Sequence, residues 1–156
     1  MSTAADLSPI IAKLEAVGHF GGIKAAQSAL LTTLREIIPA GIAAGHAPDG
    51  SAWAPLVSHA GSPLHAFADL TKVTPLGANV VTATVDHKWA WVHQIGMKIY
   101  PKNGPFLVFK INGRTVRARS VTLPRREIFP SDGKLPGPWL NPAADAMRAA
   151  VNAMLA

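Results

Sequence analysis

The dipeptide Asn112-Gly113 stands between two alternating runs, Phe106-Leu-Val-Phe-Lys-Ile111 and Arg114-Thr-Val-Arg-Ala-Arg119. A two-residue hairpin turn that matches the twist of its strands needs φ > 0 at both turn positions, and Asn-Gly meets that need at least steric cost. The pair therefore predicts an antiparallel hairpin over 106–119, in which 109 faces 116, 107 faces 118, 108 faces 117 and 106 faces 119. Strand side chains alternate, so Leu107, Phe109, Val116 and Ala118 share one face, the expected core side. Phe106, Val108, Lys110, Arg117 and Arg119 share the other, an exposed basic ribbon with an apolar underlay. Arg114 falls on the first face but at the turn, where it reaches solvent.

A lone hairpin is not stable in water, so other elements must cover it. Ser8-Pro9 starts a helix, with Ile10, Ile11, Leu14 and Val17 as its stripe and Gly18 or Gly21-Gly22 as its end. A second helix follows, with Ile23, Ala26, Leu30, Leu31, Leu34, Ile37 and Ile38 at 3–4 spacing. Pro39 either ends or kinks it, and Gly41 and Gly45 weaken any continuation. Pro48-Asp49-Gly50-Ser51 is turn chemistry that delivers Trp53. A short helix is expected near 64–70, and Val80 to Val85 is a β-branched strand. Residues 88–95 read as one or two helical turns ended by Gly96. Residues 125–140 are loop-like, and Asn141-Pro142 opens a last helix striped by Met147, Val151, Met154 and Leu155. The expectation is a single α+β domain. It divides into a helical region (1–47), a β-rich core (48–130) that carries the hairpin, and a C-terminal helix (140–156). The N-terminal helices and the C-terminal helix pack on a small antiparallel sheet from which the basic hairpin protrudes.

The 156 residues fit one domain. Charged residues make up only 15 % of them, low for a surface that must stay monomeric, so self-association is expected. The charge is also uneven. Nine Lys/Arg and no acid lie between His87 and Arg126, while the remaining residues are mildly acidic. A basic and an acidic lobe in one chain suit a head-to-tail ring. The basic lobe also suits nucleic-acid contact or docking on an acidic neighbour, or it is simply a solvated face. The longest nonpolar run, 37–45, is too short to span a bilayer. No basic region precedes an apolar stretch at the N-terminus, so a soluble, intracellular product with no membrane partner is expected.

Catalytic constellations are missing. Cysteine is absent, which excludes thiol nucleophiles and cysteine metal sites. His59 and His65, and likewise His87 and His93, are six apart, whereas two metal ligands on one helix face need i,i+4. There is no G-x-S-x-G, P-loop or G-x-G-x-x-G, so no enzyme activity, cofactor, metal or small-molecule substrate is expected. Of the four Trp, Trp89 and Trp91 read as core filling, while Trp53 and Trp139 are either loop staples or contact anchors.

Three fragments then line up in order. Pro48-Asp49-Gly50-x-x-Trp53-x-x-Leu56 resembles the P-D-G-x-x-W-x-x-L signature of the virion morphogenesis, or tail completion, family of tailed bacteriophages. Trp89-Ala90-Trp91-Val92-His93-Gln94-Ile95-Gly96 resembles that family's aromatic-Ala-x-x-His-Gln-x-Gly element. Pro124-Arg125-Arg126-Glu127-Ile128-Phe129 resembles its Pro-x-Arg-Pro-aromatic element, with Glu127 where the family usually has Pro and Phe129 one residue late. The match covers about half the chain.

The resemblance implies a structural role late in tail assembly, at the head-proximal end of the tail or in the neck. It implies copies in a ring around the genome channel, in a virion assembled in the host cytoplasm. The implied neighbours are tail terminator, tail tube or head-connector proteins, and the genomic DNA. Lys110, Arg114, Arg117, Arg119, Arg125 and Arg126 are the candidate interface or channel residues. Asp49, Gly50, Trp53, Trp89, His93, Gln94, Gly96 and Pro124 are expected to form the structural motif. Within it, Asp49-Gly50 and Trp53 anchor the helical region on the sheet. His93-Gln94 either fixes how the hairpin leaves the domain or only caps a helix. Arg126, or Arg125, offers its fork to a carboxylate or to carbonyls, within the fold or on a neighbour. The rival reading is a small DNA-binding protein that uses the hairpin in a groove.

Overall fold

Buried residues recur every fourth position in the first long helix. Ala26, Leu30, Leu34, Ile38 and Ile42 are all sealed from solvent in α1 (Phe20–Ala44). The structure, a computed structural model, describes residues 2–6, 20–55, 62–76 and 80–155. The helix expected over 8–18 lies outside them. At the other end, Trp139, Ala143 and Met147 form a second four-residue row on α4 (Gly137–Leu155), and α1 and α4 pack together. Rows at i±4 form ridges that interlock between helices, and fully buried Ala26 and Ala143 keep the layers close. Met154, expected in this stripe, is exposed.

Pro39 does not end α1; the helix runs five residues further. An interior Pro costs about 3 kcal/mol, but burial of an Ile stabilises by about 1.5–3 kcal/mol, and Ile38 and Ile42 flank it on the core side. The stop is Gly45, whose φ of 82° closes a left-handed cap. The Gly45 N–H donates to the Ile42 carbonyl and the His46 N–H to Gly41, the paired bonds of a Schellman end. The last helix also begins earlier than expected, at Gly137, so Asn141-Pro142 lies inside its opening turns.

The helices cover one small antiparallel sheet of β1 (Ser2–Asp6), β3 (Val80–Val85) and β2 (Thr71–Pro75), with β3 in the centre. Val81, Ala83 and Val85 alternate into the core from β3, and Val73 joins them from β2. The Arg35 Nε donates to the Val73 carbonyl and ties α1 to β2. Two short helices connect the layers: α2 (His65–Ala68), which buries Phe67, and α3 (Ala90–Ile95), which buries Ala90 and Val92. The architecture is thus α+β, as the sequence reading expects, although among the described residues its β part is three separate sheets rather than one.

The other two sheets form an arm. β4 (Met97–Ile99) pairs with β7 (Val121–Leu123), and between them β5 (Leu107–Ile111) pairs with β6 (Arg114–Ala118). The observed register, Phe109 opposite Val116 and Leu107 opposite Ala118, is the one that the turn predicts. Asn112 and Gly113 have φ of 48° and 77°. One expectation fails: Leu107, Phe109, Val116 and Ala118 do not enter the core. They are half-buried, and no residue of 97–123 belongs to the buried set.

Candidate functional site

The 124–129 segment has no regular structure, yet Ile128 and Phe129 are among the most deeply buried side chains of the described residues. A buried segment without a ladder must find partners for its peptide groups elsewhere. The chain solves this with α3. The Arg126 N–H donates to the His93 carbonyl at 2.7 Å. The Gln94 Oε1 accepts from the N–H groups of Ile128 (2.8 Å) and Phe129 (3.1 Å), and its Nε2 donates to the Phe129 carbonyl at 2.6 Å. An amide side chain carries both a donor and an acceptor, so Gln94 stands in for the edge of a neighbouring strand. Gly96, at φ 71°, completes the seat: a Cβ there would lie 2.9 Å from the Arg125 nitrogen.

The turn before Trp53 meets the same segment. Asp49 Oδ1 accepts from the Ser51 amide (2.9 Å) and hydroxyl (2.6 Å), and these bonds hold its carboxyl below the usual range. Gly50 takes φ 86° to close the turn. Trp53 is buried, and its indole N–H donates to the Glu127 carbonyl at 3.2 Å. In return Arg126, only 4 % exposed, places its Nη2 3.1 Å from the Ala54 carbonyl. Burial lowers the Arg126 pKa from its ordinary value, and no carboxylate pairs with it among the described residues. Of the two roles expected for Arg126, the structure has the carbonyl-binding one within the fold. Arg125 differs: it is exposed, ion-paired to Glu127 at 2.9 Å and bonded to Ser131.

His93 packs edge-on against Phe67, with ring centroids 5.7 Å apart. Its Nδ1 is buried without a partner among the described residues. Desolvation, and then the charges of Arg126 and His87, lower its pKa below the ordinary value. Pro124 is exposed at the end of β7. The three fragments thus converge on one junction, although Leu56 lies outside the described residues. Trp53 anchors to the 124–129 segment rather than to a sheet, and the His93-Gln94 pair holds that segment instead of only capping α3.

The junction carries the arm. Lys110, Arg114, Arg117 and Arg119 are all exposed on it, beside exposed Phe106 and Val108. With Lys98 and Lys102 this makes six cations and no acid over 97–123.

The two exposed Trp are the pair that sequence reasoning assigned to the core. Trp89 and Trp91 are 50 % and 47 % exposed, while Trp53 and Trp139 are buried. Trp91 and Ile95 stand i,i+4 on α3 and are both exposed, while Ala90 and Val92 of the same helix are buried. Lys88 lies over the Trp89 ring and Lys98 over Tyr100. Among the described residues no group of His, Asp or Glu could hold a metal, and no helix is long and apolar enough to cross a membrane. No family model, curated protein or solved structure matches the chain.

Proposed function

We propose that the protein is a structural component of the virion of a tailed phage or prophage. It acts in tail completion and head–tail joining, as a ring-forming part of the neck or tail end. The observation that carries this reading is the junction itself. The three fragments that resemble the tail completion family are far apart in sequence, yet Trp53 and Gln94 both hydrogen-bond to the 124–129 backbone, and Arg126 of that segment bonds back to the Ala54 and His93 carbonyls. The low charge density and the projecting arm fit a chain that finishes its surface against copies of itself and against tail terminator, tail tube or head-connector neighbours.

In this reading the protein is not an enzyme, and it takes no cofactor, metal or small-molecule substrate. Its place is the virion, after assembly in the host cytoplasm, in a ring around the channel where the genomic DNA is contacted without sequence preference. The second reading, a small DNA-binding protein, draws on one feature, the six cations of the arm. Deletion of the gene from a phage that carries it separates the two. The virion reading predicts that full heads and tails accumulate unjoined and that the protein supplied in trans restores infectious particles. Normal particle yield from the deletion strain contradicts it.

A further inference from the structure

The arm is an unfinished surface. Its apolar residues Leu107, Phe109, Ile111 and Val116 are half-buried, Val108 and Phe106 are exposed, and nothing in 97–123 reaches the core. A second arm cannot cover it, because that would set six cations against six with no acid between them. The occupant must be acidic and must also offer apolar area, which a phosphate backbone does not.

One surface of the chain has both properties. An open cleft of about 470 Å³ lies between the 47–51 turn and the loop after Arg126. Pro48, Leu135 and Pro136 give it apolar walls. Its charged lining is Asp49, Glu127 and Asp132 against Arg125 and Lys134, and since Arg125 is paired with Glu127 the cleft keeps a small acidic excess carried by Asp49 and Asp132. Each of these two uses one oxygen inside its own turn, Asp49 for Ser51 and Asp132 for the Lys134 amide, and neither is ion-paired among the described residues. The cleft is also held ready, since the Trp53–Glu127 and Arg126–Ala54 hydrogen bonds tie its two sides together. A preformed acceptor loses less on binding than one that must be ordered first.

We infer that the tip of the arm, around Arg114 and Arg117, seats in this cleft on a second copy of the chain. The inference rests on the self-assembling reading above and adds the contact that builds the assembly. Arm and cleft are different surfaces, so each copy gives one and receives one. Such heterologous contacts close into a ring when the rotation per copy permits.

The chain has no cysteine, which gives a direct test. Thr115 is exposed near the arm tip and Lys134 lines the cleft. The double variant Thr115→Cys, Lys134→Cys is oxidised at low salt, run on a non-reducing gel and sized by light scattering. The expected result is a ladder of disulfide-linked multimers that neither single variant forms. Adding Arg114→Glu and Arg117→Glu should reduce the ladder at least tenfold, and further adding Asp49→Lys and Asp132→Lys should restore it. Multimers by scattering without a ladder overturn the inference alone. A chain that is monomeric at every salt concentration overturns both it and the ring-forming reading. A ladder unchanged by Arg114→Glu and Arg117→Glu, with retention of duplex DNA lost, assigns the arm to nucleic acid and overturns the inference.

Discussion

Trp53 and Arg126 each reach across the same junction in opposite directions. The indole N–H of Trp53 donates to the carbonyl of Glu127, the residue after Arg126, and the guanidinium of Arg126 donates to the carbonyl of Ala54, the residue after Trp53. The exchange joins segments more than seventy residues apart and satisfies two peptide groups that no ladder serves.

Trp53→Ala should lower stability by about 3–5 kcal/mol, since it removes a buried aromatic and leaves a carbonyl unpaired. Trp53→Phe keeps most of the packing and should cost about 1–3 kcal/mol for the lost hydrogen bond. Thermal melts of the two variants check this. A normal melt for Trp53→Ala would mean that the residue is a contact anchor rather than part of the core.

Gln94→Ala removes three hydrogen bonds to the Ile128–Phe129 backbone and should cost about 2–4 kcal/mol. Gln94→Glu retains the acceptor but turns an ionised oxygen toward the Phe129 carbonyl, so at pH 7 it should be at least as unstable as Gln94→Ala and should recover as acid protonates it into a donor. Urea denaturation at two pH values ranks the three. Wild-type stability of Gln94→Ala would contradict the strand-edge role.

Gly96→Ala should cost at least about 1–3 kcal/mol, because φ 71° is strained for a residue with a Cβ and the added atom meets the Arg125 backbone. Proteolysis should then cut within 124–129 faster than in wild type. An unchanged cleavage pattern would show that the segment does not depend on this close approach.

How much of this was legible in the sequence followed the range of the interaction. The Asn112-Gly113 hairpin, the 80–85 strand and the helix end at Gly96 are set by neighbours in sequence, and all were readable. Pro39 misled because its local penalty is smaller than the burial of the isoleucines around it. β4 and β7 are three-residue strands with no buried side chain, too short to leave a pattern. The Gln94 contacts lie 34 and 35 residues away, and no local spacing marks an amide as a strand edge. For Trp53 and Trp139 the sequence left loop staple and contact anchor open, and both are buried staples. Trp89 and Trp91, read as core filling, are exposed, because their burial depends on how the short α3 docks.

His93 gives the fold a pH dependence of defined sign. Its pKa is depressed in the folded state, so the folded chain binds fewer protons than the unfolded one below the ordinary value of 6.5. Its neutral form therefore supports stability above that value, and the support is lost as pH falls. Melting temperature should drop between about pH 7.5 and pH 5. His93→Leu should flatten that slope, and a variant with the full slope would place the titration elsewhere.

The central claim is that the arm serves assembly and not the fold, and the double variant Arg117→Glu, Arg119→Glu tests it most directly. Both side chains are exposed on the ribbon face, so the melting temperature should stay within a few degrees of wild type. Infectious titre in a phage carrying the variant should nonetheless collapse while heads and tails accumulate separately. A wild-type titre from this variant would contradict the account and leave the ribbon as a solvated face.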